Sequence, residues 1–359
     1  MTSTALLEPS IAAPSTLRDC PPIHRDEFDQ SLRSDPFHYA AKTGRDDLEK
    51  KFEEFAASLP SDDNGKIDPA ILTSRPCPLC GAAEHAVLFA KYRFPICRCT
   101  ACGFVFANPI LDQETVHAGY MDMGEMSSHH LSLVTQDFYR ACARKRLEFE
   151  LQQVLKRALR PPKSYLEIGC SVGTGLEVAR DYGLGATGIE PNADAAAIAL
   201  REGHSVIVDL FRPGTFDGEL FDIVACMDVI EHLTDPVGFL GQIRNVLTDN
   251  GLALIQVPNA GALITMVEGA KNQIFNGLIH YGYFDCDSLD RAAEKAGMKS
   301  VGTLSVLSEL GKLRKYPKSE IIEALRRERP ELTSSLVLHQ DWINDNGLGY
   351  KVIGIYKKV

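Results

Sequence analysis

The sequence predicts an α/β protein in which a helical region and a small metal-binding ribbon precede a doubly wound sheet. Three observations carry this expectation. From about residue 161 onward, short apolar runs alternate with helical stretches, as buried parallel strands under helices do. Five of the ten cysteines crowd between Cys77 and Cys102. A glycine-containing turn at 169–175 joins the first apolar run to the first helix of the repeat. The 359-residue length fits two or three units, at roughly 100–200 residues for each.

Composition excludes several classes. A hydrophobic fraction of 45% with 24% charged residues suits a packed soluble core and excludes a disordered or collagen-like chain. The net charge of −10 leaves no global basic field for polyanions. No apolar run reaches the roughly 18 residues of a membrane helix, and no basic segment leads an apolar core at the start, so neither a span nor a signal peptide is expected. Clustered cysteines in such a chain read as a metal site in a reducing cytoplasm, not a disulfide framework.

Taken in order, residues 1–72 form a polar region whose one convincing helix is 46–57, with Leu48, Phe52 and Phe55 on one face, before SDDNG breaks it. The ribbon spans 73–112 and includes a short strand at 104–106. A helical linker covers 113–160, with one long helix from 131 ended by Pro161-Pro162; its basic residues, among them Arg140, Arg144 and Arg157, read as a solvated face. The α/β domain takes 161–359. Its strands are expected at 165–168, 186–189, 206–208, 223–227, 252–257, 301–306 and 350–356, with an insertion at about 307–348. Helices fall at 193–201 and at 236–247, where Pro236 sits in the first turn.

Cys77-Pro78-Leu79-Cys80-Gly81 and Cys99-Thr100-Ala101-Cys102-Gly103 are two CxxCG knuckles separated by a spacer of ribbon length. Four thiolates on two tight turns make a closed tetrahedral zinc site, structural because no coordination position stays open. Cys97 reads as a small buried residue, and Cys142, Cys170, Cys226 and Cys286 as core or loop fillers.

The stretch LEIGCSVGTG at 166–175 follows a strand and opens a helix, so its backbone can approach a ligand at a helix N-terminus. Glu190 ends the next strand, where a carboxylate can accept from both hydroxyls of a ribose. Glu167, just ahead of the first glycine, would repel a pyrophosphate and suits a cofactor carrying an amino group and a sulfonium.

These residues resemble the class I S-adenosylmethionine-dependent methyltransferases, whose sheet is Rossmann-like. LEIGCSVG looks like the family's acid-x-Gly-x-Gly-x-Gly loop, with Ser171 where the middle glycine usually stands. The resemblance implies that Glu167, Gly169, Ser171 and Gly173 cradle S-adenosylmethionine, that Glu190 binds its ribose, and that Asp209 and Leu210 contact its adenine. Asp228, at the end of the fourth strand, joins the same set. That strand ends Cys226-Met227-Asp228, not in the Asn/Asp-Pro-Pro-Tyr of exocyclic amino methyltransferases.

The knuckles ahead of the domain resemble two groups, antibiotic deoxysugar C-methyltransferases and a subset of ribosomal RNA methyltransferases. His280-Tyr281-Gly282-Tyr283-Phe284 is similar to the sugar enzymes' His-x-x-Tyr-Phe segment, which implies His280 as base, His232 as the alternative and Tyr283 beside it. Leu278 and Ile279 replace that family's Tyr and Glu. A further resemblance, to ubiquinone-pathway O-methyltransferases, would have Asp228, Glu231 and His232 bind magnesium from one helical face. The reading is therefore a cytoplasmic methyltransferase of a small polar metabolite, in sugar or natural-product biosynthesis, with no nucleic-acid or membrane partner. Two rivals stay open: an RNA methyltransferase gripping the backbone through the ribbon, whose binding would collapse with salt, and a non-catalytic adaptor that binds cofactor without turnover.

Overall fold

The structure, a computed structural model, describes residues 45–112 and 131–359. The expected features at 1–44 and 113–130, Cys20 among them, lie outside the described residues. The first helix runs Arg45–Ser58 and buries Phe52 against Phe94, Leu111 and Leu278.

Thirteen strands are described. The ribbon contains β1 (Leu72–Thr73), β2 (His85–Lys91), β3 (Phe94–Cys99), β4 (Val105–Ala107) and β5 (Ile110–Leu111). The α/β sheet is built from β6 (Ser164–Ile168), β7 (Gly185–Ile189), β8 (Ser205–Ile207), β9 (Phe221–Met227) and β10 (Leu247–Pro258). Between them and the final pair lies β11 (Gly282–Tyr283), followed by β12 (Met298–Val306) and β13 (Lys351–Lys358).

The seven-stranded sheet has the order β8-β7-β6-β9-β10-β13-β12. Strands β6 to β10 are mutually parallel, and β13 slots antiparallel between β10 and β12. Parallel strands need both faces covered, and the central ones comply: Leu166, Ile223, Val224, Ala253 and Ile255 are buried. Strand order reverses between β6 and β9. Ligands of open parallel sheets bind outside the strands' carboxyl ends at that switch point. Because β13 is antiparallel, its first residue, Lys351, also emerges there, opposite Pro258.

The helices are tied at their starts by side chains that occupy free backbone N–H groups. Asn192 accepts from Asp194 and Ala195 ahead of helix Ala193–Arg201. Asp235 accepts from Gly238 at 2.9 Å, with Pro236 in the first turn of Pro236–Asn245. Asp285 and Ser288 form a reciprocal capping box on Cys286–Lys295. The expected helix from 131 is interrupted: a single turn at 131–134 precedes Asp137–Leu155, which stops before Pro161. Its arginines are already paired within the protein, Arg140 with Glu202 at 2.7 Å and Arg144 with Glu177 at 3.0 Å. The insertion carries helices Leu310–Leu313, Lys318–Glu328 and Gln340–Asp345, and Trp342 packs against the main core.

The ribbon's sheet reaches across the chain. Its order is β11-β4-β3-β2, so the two residues of β11, drawn from the α/β domain, complete it. Phe104 and Phe106 accordingly share one apolar cluster with Ile230, Val257 and Phe284.

Candidate active site

The turn after β6 is held in a conformation that few side chains tolerate. Gly169 and Gly173 have φ of 77° and 86°. A Cβ on either would meet Val229 at 2.8 Å or His204 at 2.7 Å, so the backbone stays close to its surroundings. Ser171 is left-handed as well, at φ 48°. Such a conformation costs a non-glycine residue about 1–3 kcal/mol. Its N–H is drawn to Glu190 Oε2 at 2.9 Å, which offsets that cost and explains how serine replaces the middle glycine.

Glu190, at the end of β7, is buried and also accepts from Asn192 N–H at 2.8 Å. Burial raises its pKa, and the two backbone donors oppose that rise. A carboxylate has about four lone-pair positions, so room for two ribose hydroxyls remains. Glu167 is buried in β6, and its Oε2 has no partner among the described residues. A Cβ on Gly175 would clash with this carboxylate, which therefore lies against the turn. Burial pushes Glu167 up to about 8, with Glu150 and Glu190 adding to the rise. A cationic group nearby would restore its negative charge. An orphaned carboxyl oxygen, a close-approach turn and an acceptor at the second strand's end fit S-adenosylmethionine. Asp209 and Leu210 follow β8 and are exposed, Leu210 by 46%, so a flat base could cover them.

Beyond β9 the arrangement departs from the expected helical face. Asp228 has φ 56° and precedes only a one-turn 3-10 helix at Ile230–His232. Asp228 consequently stays near Glu231 and His232 but does not join their converging ligand atoms, and its carboxylate is taken by other partners. Lys351 Nζ donates to its Oδ1 at 2.6 Å, and Gln256 Nε2 to its Oδ2 at 3.2 Å. Burial would raise this carboxyl, yet Lys351 and Arg146 hold it below its ordinary range. Lys351 was not foreseen. Its signal was a basic residue opening an apolar strand that starts at the switch-point edge.

His280 takes the place expected for Asp228. Ligand atoms of Glu231, His232 and His280 all lie within 4.8 Å of one another. The two imidazoles meet edge to face, with centroids 4.7 Å apart. His232 Nδ1 lies 2.9 Å from the Ile279 carbonyl, and His280 Nδ1 lies 2.8 Å from that of Ile274. Carbonyls only accept, so each Nδ1 carries a proton. Burial, then the neighbouring His232, pushes His280 down to about 3. Glu231 is buried, with neither carboxyl oxygen hydrogen-bonded among the described residues and Oε1 4.0 Å from His232 Nε2, and burial beside Asp228 pushes it up to about 8. Tyr283 lies beside His280 as expected. Its hydroxyl donates to the His280 carbonyl at 2.9 Å, so it supports that histidine.

The four expected zinc ligands come together. Cys77 Sγ lies 3.6 Å from Cys102 Sγ, and Cys80 Sγ lies 3.5 Å from Cys99 Sγ. Tetrahedral zinc at ~2.3 Å from each sulfur separates sulfurs by about 3.8 Å. The knuckles close through Gly81 N–H to the Cys77 carbonyl and Gly103 N–H to that of Cys99. Cys97 stays outside the cluster, 3.5 Å from the Asn108 carbonyl. Cys142, Cys170 and Cys226 are buried as expected.

Comparison with known proteins agrees with this geometry. A methyltransferase domain family matches residues 137–301. A ubiquinone biosynthesis O-methyltransferase of Glaesserella parasuis is 31% identical over 122 residues, covering 30% of this chain and 52% of that protein. One from Bradyrhizobium is 36% identical over 101 residues, covering 26% of this chain and 39% of that protein. The chain thus spans about half or less of the length of these curated relatives. Among solved structures, the cyclopropane synthase MmaA2 of Mycobacterium tuberculosis aligns with a TM-score of 0.39 at 14% identity, over 59% of this chain and 83% of that one. No helix among the described residues is long and apolar enough to cross a membrane. Strand order, the glycine turn with its carboxylates, and the family match converge, and the chain carries a class I S-adenosylmethionine-dependent methyltransferase domain.

Proposed function

We propose that this chain methylates an oxygen or carbon of a small polar metabolite, such as a nucleotide-linked sugar or a secondary-metabolite intermediate, with His280 taking the acceptor's proton. The observation that carries this reading is the pair of imidazoles beyond β9, packed edge to face with each Nδ1 held by a backbone carbonyl. When bound, the cofactor supplies an electrophilic methyl carbon. The chain's part is to orient the acceptor, exclude water and receive a proton, and orientation supplies most of the rate. Burial keeps His280 unprotonated at neutral pH and also makes it a weak base, so its proton uptake depends on a negative charge beside it. An ionised Glu231 beside it would stabilise the imidazolium that forms. The names of the curated relatives favour oxygen as acceptor.

One observation favours a second reading. Glu231, His232 and His280 could instead hold a divalent ion, which would polarise an acceptor hydroxyl. This set replaces the expected Asp228, Glu231 and His232. The experiment that decides measures S-adenosylhomocysteine release across a panel of catechols and nucleotide sugars, with and without EDTA. With His280 as base, activity persists in EDTA, and His280→Ala lowers turnover roughly 10²–10⁴-fold with cofactor affinity unchanged. Activity that vanishes in EDTA and returns with magnesium or manganese supports the metal. Wild-type turnover in His280→Ala rejects both.

A further inference from the structure

The ribbon and the histidine pair meet along one seam, and the Arg75 guanidinium crosses it. Arg75 lies two residues before the first zinc knuckle, and its backbone N–H donates to Asn108 Oδ1 at 3.0 Å. Its Nη2 donates to the Tyr281 carbonyl at 2.7 Å and to that of Ala107 at 3.4 Å, while Nη1 donates to the Thr234 carbonyl at 3.2 Å. Those acceptors belong to three separate segments. Tyr281 directly follows His280, Thr234 lies two residues after His232, and Ala107 ends β4 of the ribbon. The guanidinium also sits 5.8 Å from the ring centroids of both Phe106 and Tyr281.

The Nε of Arg75 is buried without a hydrogen-bond partner among the described residues, so the carbonyl contacts are made by the two Nη groups. No carboxylate pairs with it among the described residues. Burial draws its pKa down to about 10, so the charge survives at neutral pH. A planar fork spreads five donors over a rigid frame and so bridges carbonyls of separate segments, whereas an ammonium offers three from a single point. Backbone bonds continue the same seam: Ala107 N–H to the Tyr281 carbonyl at 3.0 Å, and Tyr281 N–H to the Glu231 carbonyl at 2.7 Å. Lys91 Nζ donates to the Asn272 carbonyl at 3.1 Å, further along the ribbon's edge.

We infer that Arg75 is the positioning residue of the acceptor site, clamping the His232 and His280 segments to the ribbon. The ribbon then acts as the scaffold of the acceptor side, while the cofactor turn is held by β6, β7 and Glu190. This placement does not require His280 to be a base or a ligand, so it can stand or fall apart from the reading above.

The test compares full-length Arg75→Gln and Arg75→Lys with wild type. Three quantities are read: zinc per chain, calorimetric affinity for S-adenosylhomocysteine, and hydrogen exchange of peptides covering 229–235 and 274–284. Nitrogen NMR of labelled histidine adds the tautomer of His280, which is Nδ1-protonated in wild type. In Arg75→Gln, both peptides should exchange roughly ten- to hundred-fold faster, and the His280 signal should leave the Nδ1–H position. Zinc content and homocysteine-nucleoside affinity should stay at wild-type values, and Arg75→Lys should restore protection in part. Unchanged exchange and tautomer in Arg75→Gln overturn the inference. So does a loss of zinc or of cofactor affinity in both variants, since Arg75 would then serve the whole fold.

Discussion

Replacing Glu190 with glutamine removes one charge and turns one acceptor oxygen into a donor. In the native site both oxygens already accept, from Ser171 N–H at 2.9 Å and Asn192 N–H at 2.8 Å. The glutamine amide can satisfy only one of these, because its NH2 faces a second N–H. The lost charge-assisted bond is worth about 1.5–3 kcal/mol, and each 1.4 kcal/mol is about tenfold in affinity. Affinity for S-adenosylhomocysteine should therefore fall roughly 10- to 100-fold. Glu190→Ala should cost more, since Ser171 would lose the bond that holds its left-handed backbone. Affinity should also weaken as pH falls, because the Glu190 pKa is raised by burial and protonation removes its acceptors. Titration calorimetry with S-adenosylhomocysteine reads all three effects. A dissociation constant for Glu190→Gln indistinguishable from wild type would refute the ribose assignment.

Two other outcomes follow from the same structure. Elemental analysis should find one zinc per chain, lost in Cys80→Ser; cofactor affinity should persist, because the zinc set and the cofactor turn are built from separate segments of the chain. Abolished cofactor binding with an intact ribbon after chelation would contradict this. Glu150 is fully buried in helix Asp137–Leu155, and burial raises its pKa from the ordinary 4.5 to about 7, against the opposing pull of Arg146. A raised carboxyl pKa contributes stability below pH 4.5 that is lost as pH climbs through 7. Glu150→Gln should thus gain about 1–3 kcal/mol over wild type at pH 8 relative to pH 4. Urea unfolding at the two pH values checks it, and an equal difference at both would show that Glu150 does not titrate in this window.

The parts of the fold readable in the sequence are those set by neighbours in the chain. Buried parallel strands declare themselves as apolar runs, and all five of the first set, β6 to β10, fall where their runs stand. The knuckles are equally local, since spacing and a following glycine define each turn. Cys77, Cys80, Cys99 and Cys102 consequently converge as expected. The exchange of Asp228 for His280 was not readable. It depends on a left-handed residue after β9 and on Lys351, which arrives from the far end of the chain to take the carboxylate. Periodicity assumes a helix from the start of the motif, whereas the chain forms only one 3-10 turn there. The pairing of Gly282 and Tyr283 with β4 is likewise two residues long and carries no local signal. Arg75 shows the same limit: it carries no local signal, and only the folded chain brings three carbonyls to it.

The account's central claim is that cofactor and acceptor meet at the switch point between β6 and β9, with the histidine pair facing the transferred group. A crystal structure of the full chain with S-adenosylhomocysteine tests it most directly. The account predicts both ribose hydroxyls within hydrogen-bond reach of Glu190, the amino group on the Glu167 side of the turn, and the thioether sulfur facing the His232–His280 pair. A ribose bound away from Glu190, or a sulfur screened from both histidines by the ribbon, would contradict it.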